Sequence, residues 1–216
     1  MARRVVALTS SNIDDLHPTC RACVTWELSP VAGARATHEQ ATEAKRLWVH
    51  DRVAQDGTAG AIVHINGGPA GWLVYAPPDA VPGVARFATG PVTSDAFLLV
   101  SGMILPDYRG AGLGRLLVQH AAKQMVSRDG VRALEAFGDY QPIPFGCVWP
   151  AGFLSAVGFE AVRDHPRHPR MRLDLRATVT WRPDVEAALA RLRRVVRPDP
   201  VPVRLFEADD SARPTT

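Results

Sequence analysis

Ala96-Phe97-Leu98-Leu99-Val100-Ser101-Gly102-Met103-Ile104-Leu105 runs straight into Pro106-Asp107-Tyr108-Arg109-Gly110-Ala111-Gly112-Leu113-Gly114-Arg115, and the reading of this passage decides the fold. The first half is almost entirely apolar, the pattern of a central strand buried on both faces. Pro106 to Gly110 breaks that strand. From 112 to 128 the residues Leu113, Leu116, Leu117, Ala121 and Met125 recur on one stripe, which predicts an amphipathic helix. A buried strand therefore feeds a glycine-rich turn that opens directly into a helix. Glycine admits turns closed to other residues and lets backbone approach a ligand. The first N–H groups of the helix lack internal partners and carry the positive end of its dipole. Together these features predict a cradle for a pyrophosphate.

Downstream, Asp129-Gly130 ends the helix and 131–137 reads as the next strand. A short helix over 150–157 and strands over 158–162 and 171–175 follow. Upstream, 3–8 reads as a strand, and Ser10-Ser11-Asn12 offers cap chemistry for a turn or brief helix. The helix predicted over 37–55 starts at Thr37, with Gln40 in place for a capping box, and stops at Asp56-Gly57. Two β-rich runs, 59–65 and 71–75, meet at Asn66-Gly67-Gly68-Pro69, a hairpin signal. Residues 77–95, rich in Pro, Gly, Ser and Thr, read as an exposed loop. This order predicts an α/β domain with a mixed sheet rather than a doubly wound parallel one. The domain spans 1–177. A C-terminal amphipathic helix is expected over 178–198, with Val185, Leu189, Leu192 and Val196 on its apolar stripe, and a flexible tail over 199–216. That helix must pack on the domain or on a second subunit, and the second case gives a homodimer.

Two familiar phosphate cradles fail on spacing. A dinucleotide fingerprint needs a third glycine where Arg115 stands, and no Gly-Lys-Ser/Thr ending exists for a nucleoside triphosphate loop. Arg109-x-x-Gly112-x-Gly114 instead resembles the coenzyme A-binding motif of the GNAT acyltransferases. So does the longer phrase Ile104-Leu105-Pro106-x-Tyr108-Arg109-Gly110-x-Gly112-x-Gly114. Phe153-Leu154-Ser155-Ala156-Val157-Gly158-Phe159-Glu160 resembles that family's later helix-to-strand signature. The resemblance implies a GNAT-like α/β fold with a mixed, mostly antiparallel sheet, flanking helices and splayed central strands. It implies an N-acyltransferase that moves an acetyl or other acyl group to an amine acceptor, small molecule or protein, with acetyl-CoA as cosubstrate. On that reading the backbone near Met103, Ile104 and Leu105 pairs with the pantetheine. The turn from Arg109 through Gly110, Ala111, Gly112, Leu113, Gly114 and Arg115 holds the pyrophosphate.

The proton chemistry departs from the family pattern. Many members carry a tyrosine acid where this chain has Leu154, and many carry a glutamate base on the strand that here, over 96–105, has no titratable residue. Glu135, Asp139 and Tyr140 are the candidate catalytic substitutes, with Cys147 nearby. The blander reading makes Tyr140 a rim aromatic and Cys147 a small buried hydrophobe. The missing tyrosine and glutamate also support an alternative function, a catalytically silent coenzyme A-binding sensor or interaction module.

Composition narrows the partners. The 216 residues carry a net charge of +3, too slight a bias to predict nucleic-acid binding. No apolar run approaches the ~20 residues that cross a bilayer, and no signal peptide is visible, so no membrane partner is expected. Only Lys45 and Lys123 are lysines among the basic residues, which with the Ala, Val and Pro bias suggests a GC-rich bacterial gene. The three cysteines, Cys20, Cys23 and Cys147, fit a reducing cytoplasm better than a disulfide framework. His17-x-x-Cys20-x-x-Cys23 has zinc-like spacing but half a ligand set, so no metal is expected. His165 and His168 read as part of a solvated strand connection.

Overall fold

Local signals fix the frame. Thr37 Oγ1 accepts the Gln40 N–H and Gln40 Oε1 accepts the Thr37 N–H, the reciprocal box that starts the long helix. Gly57, at φ 68°, ends it with an N–H to Val53 O at 3.0 Å. Asn66 and Gly67 take φ of 52° and 90°, the left-handed pair that a tight hairpin requires.

The computed structural model describes residues 2–144 and 146–178. In chain order these form β1 (Arg3–Ala7), α1 (Pro18–Arg21), α2 (Pro30–Arg35), α3 (His38–Asp56), β2 (Gly60–Ile65), β3 (Gly68–Ala76), β4 (Ala96–Ile104) and α4 (Leu113–Met125). Then follow β5 (Ala133–Asp139), β6 (Trp149–Pro150), α5 (Ala151–Ala156), β7 (Glu160–Arg163), β8 (Arg170–Asp174) and α6 (Leu175–Thr178). Beyond Thr178, the expected C-terminal helix and tail lie outside the described residues.

The sheet runs β1-β2-β3-β4-β5-β8-β7, with β6 alongside β5. Along that path every neighbouring pair is antiparallel except β4–β5, so the expected mixed, mostly antiparallel sheet is present. Alternation along the strands divides the core in two. Val63, Phe97, Leu99 and Leu134 face the buried stripe of α4, Leu113, Leu117, Val118, Ala121 and Met125. Ile62, Leu98, Val100 and Phe137 face the other way, toward Val49 of α3 and Trp26. Between β3 and β4 the register slips: Val74 pairs with Ser101 but Tyr75 with Leu99, leaving Val100 as a bulge.

Three expectations need correction. Segment 77–95 is not a solvated loop: two 3-10 turns shape it, Val81 and Val92 are buried, and Phe87 stacks on Trp26 and Phe137 at centroid distances of 5.0 and 4.4 Å. The strand read as 131–137 starts later, at Ala133, and runs on to Asp139, which therefore belongs to β5. His168 is not simply solvated, since its ring meets Phe87 edge-on at 5.5 Å.

Residues 13–36, for which the sequence offers little periodicity, wrap the Trp26 side of the sheet. Lys45 of α3, almost fully buried, pairs there with the buried Glu27 and donates to Cys23 O at 3.2 Å. Trp26 Nε1 donates to Cys147 O at 2.8 Å, tying this wrapping to the segment between β5 and β6.

Candidate active site

β4 and β5 pair only from Ala96 with Ala133 to Leu98 with Glu135. Beyond Leu98 they part, and β5 takes β6 as its parallel neighbour, Gly138 opposite Trp149 and Asp139 opposite Pro150. The second half of β4 thus keeps β3 on one edge and, among the described residues, has no strand on the other. A slot of about 470 Å³ opens there, floored by Gly102, Met103 and Ile104, walled by Leu117 and Val118 of α4, and bounded by Trp149 and Phe153. Pro142, Ile143, Pro144, Gly146, Cys147 and Val148 form its outer side. The expected splay is present, and the slot within it is mostly apolar.

At its mouth lies the glycine turn, whose glycines play different parts. Gly110 and Gly112 have φ of 76° and 74°, and a Cβ on either would meet nothing within 4 Å. Gly112 caps α4, so the N–H groups at the start of that helix have no carbonyl one turn back to bind. Gly114 is different: a Cβ there would sit 2.9 Å from Phe153 Cε2, so its small size serves helix packing.

Arg109 borders the slot, and its Nε donates to Ile104 O at 3.2 Å, capping the end of β4. Arg115 turns its guanidinium to Ala156 O and so ties α4 to α5. Leu113 is buried and Ala111 is exposed. Met103 and Ile104 line the slot, whereas the Leu105 N–H is committed to Ala70 O at 3.0 Å.

The three candidate catalytic residues do not converge. Glu135 is wholly buried on the sheet face opposite α4. Its carboxylate accepts from Arg170 Nη1 at 2.5 Å, Arg172 Nη1 at 3.1 Å and Thr93 Oγ1 at 2.6 Å. Arg172 also grips Asp95 at 2.9 Å and holds that carboxyl down to about 2. Such saturation is that of a structural hub, away from the slot. Asp139 is buried, accepts the Gln141 N–H at 2.8 Å and faces Arg167 Nε at 3.5 Å. Tyr140 is exposed and is not among the residues lining the slot. Leu154, in the position of the family's tyrosine, is fully buried in the core.

Behind the Cys147 wall stands Cys23, its Sγ 3.3 Å from Thr25 Oγ1. A hydrogen bond from the Cys147 thiol, reinforced by Thr25 and Lys45, lowers the Cys23 thiol to about 5. The same pairing, with burial, raises Cys147, and burial raises Cys20 to about 11. His17 caps α1 by accepting the Thr19 N–H at 3.3 Å. Among the described residues no group of three His, Cys, Asp or Glu side chains is placed to hold a metal.

What the sequence missed is the apex of the slot. Gly102, Trp149 and Phe153 line it, and the one available signal was the Trp149-Pro150 dipeptide, because a residue before proline is driven to extended backbone.

A family model described as the acetyltransferase (GNAT) family matches residues 25–141, more than half of the chain. No curated protein matches at a significant level. Among solved structures, the PaiA N-acetyltransferase of Thermoplasma acidophilum in complex with coenzyme A is 14% identical. It aligns with a TM-score of 0.54 over 81% of this chain and 99% of its own. The aminoglycoside acetyltransferase AAC(6')-Ib in complex with coenzyme A is 17% identical, with a TM-score of 0.54 over 84% of this chain and 99% of its own. An N-acetyltransferase from Staphylococcus aureus Mu50 is 12% identical, with a TM-score of 0.51 over 81% and 99%. At these identities the likeness is one of fold.

Proposed function

This chain belongs to the acetyltransferase (GNAT) family, and from that premise we propose that it moves an acyl group from acyl-CoA, acetyl-CoA in the first place, to an amine. One observation carries the reading: the splay of β4 from β5 after Leu98 makes a slot that runs to the glycine turn of α4. In the proposal the pyrophosphate lies on the N–H groups from Gly110 to Arg115, over the open faces of Gly110 and Gly112. Arg109 adds a charge there. The pantetheine lies along Gly102, Met103 and Ile104, with its amides bonded to the free edge of β4. The thioester then sits toward the apex.

The amine nitrogen attacks the carbonyl carbon, the C–S bond breaks, and coenzyme A leaves as thiolate while the nitrogen loses a proton. Holding the two reactants together supplies most of the acceleration. The slot lining offers Arg109 and Cys147 as its titratable groups, so the amine proton passes to water. Asp139, in register with Pro150 beside the apex, is the carboxylate assigned as the base behind that water. Tyr140 shapes the acceptor rim. A cytoplasmic location belongs to the same proposal and is supported by three free thiols.

Calorimetric titration with acetyl-CoA, followed by a panel of amines with thiol release as the signal, tests the reading. Absence of binding at millimolar ligand overturns it. Binding without turnover on any amine favours the second reading, a silent coenzyme A-binding module, which the buried Leu154 supports.

A further inference from the structure

We infer that Trp149 is the residue that sets acyl-chain length, closing the apex of the slot so that acetyl and similarly short acyl groups are accepted and long ones are refused. The inference rests on the acyl-CoA reading of the slot and concerns its far end. Where β4 leaves β5, the first carbonyl without a strand partner on that side is bonded by a side chain: Trp149 Nε1 donates to Leu99 O at 3.0 Å in a buried setting. The indole thereby occupies the vertex into which anything advancing along β4 from the glycine turn must run.

Trp149 is held there from several directions. Its backbone pairs with Gly138 of β5, and Pro150 behind it favours extended backbone. Its ring stacks on Phe153 at a centroid distance of 5.9 Å and 22° between planes. On its other side the ring lies against Gly102, where a Cβ would come within 2.3 Å of Cη2 and 2.8 Å of Trp72 O. A glycine inside a central strand weakens it, so its presence marks a close approach, and here the approach is by Trp149. The indole cannot slide toward β4 or toward Phe153 without a clash. It therefore forms a fixed wall.

A thioester seated along Met103 and Ile104, on the mouth side of Gly102, meets the indole with its acyl group. A longer chain must displace the indole and leave Leu99 O, a buried acceptor, without its donor. Ile143 and Val148 stand on the outer side of the slot, where we place the entry of the amine.

The experiment is a calorimetric series on the full chain with coenzyme A, acetyl-CoA, butanoyl-CoA and octanoyl-CoA. Native protein is expected to bind coenzyme A and acetyl-CoA alike, and octanoyl-CoA at least about tenfold more weakly, a step in keeping with steric discrimination by a pocket wall. Trp149→Ala is expected to bind octanoyl-CoA at least as well as acetyl-CoA. Should that variant fail to fold, the native series decides alone. Equal native binding of acetyl-CoA and octanoyl-CoA would overturn the gate while leaving the acyltransferase reading in place. Failure of every ligand, coenzyme A included, would overturn both.

Discussion

The turn from Gly110 to Arg115 and the carboxylate hub around Glu135 are both polar, and they differ in what their polar atoms have left to do. At the hub, Glu135 is enclosed by Arg170, Arg172 and Thr93, and Arg172 is shared with Asp95. At the turn, a helix begins at Gly112 with no side-chain cap, and a Cβ on Gly110 or Gly112 would meet nothing within 4 Å. A charged cluster whose partners are all protein is architecture, because its bonds are already made. A helix start left open by glycines is suited to a ligand. The contrast also warns against choosing catalytic residues by type alone, since the more conspicuous charge here lies away from the slot.

The comparison breaks most visibly if the hub is opened. Replacing both Arg170 and Arg172 with alanine leaves Glu135 buried without a compensating charge. We expect a loss of about 3–5 kcal/mol in denaturant unfolding. A double variant as stable as the parent would show that Glu135 is not held by its neighbours in the way described. Gly112→Val tests the other side. Valine at φ 74° is strained and projects into the space over the donors, so coenzyme A affinity should fall about 100-fold, the scale of two lost charge-assisted hydrogen bonds. The far-ultraviolet spectrum should be preserved, because no neighbour crowds that position. Unchanged affinity would make Gly112 a structural glycine like Gly114.

Between the two extremes lies the thiol pair. The Cys23 thiol is lowered by its hydrogen bonds to Cys147 and Thr25, while burial raises Cys20 to about 11. Iodoacetamide at pH 6 followed by peptide mapping should therefore label Cys23 ahead of Cys20. Equal labelling would show that Lys45, Thr25 and Cys147 do not stabilise that thiolate. The smallest effect concerns Asp95. Its carboxyl is lowered to about 2 in the fold from an ordinary 3.8, so its contribution is complete above pH 4 and disappears as pH falls through 2. The pair is partly exposed, so about 1 kcal/mol or less is at stake. Asp95→Asn should flatten the loss of stability between pH 4 and 2, measured by urea unfolding across that range.

The residues that were legible in the sequence are those whose signals are local. The Thr37 box, the Asn66-Gly67 turn, the apolar run of β4 and the turn into α4 each depend on a few neighbouring residues, and each stands where the pattern put it. What escaped reading depends on partners far away in the chain. Phe87 sits in a stretch with loop composition, yet its ring is claimed by Trp26 and Phe137. Glu135 looked available because its arginines come 35 and 37 residues later. Gly114 fits the cofactor motif while its size answers to Phe153. Trp149 showed nothing of the β4 carbonyl it would meet 50 residues upstream.

The contact between Gly114 and Phe153 joins the two ends of the slot. Phe153 stacks on Trp149, and Trp149 is bonded to Leu99 O, so the helix start at the mouth and the indole at the apex form one continuous packed path. Side chains fixed this way have surrendered their rotamer freedom during folding, leaving little to lose when a ligand arrives. The entropic penalty of shaping the slot then falls on the stability of the free protein, and association is spared it. Loosening Phe153, remote from the reacting atoms, would return that penalty to the binding step.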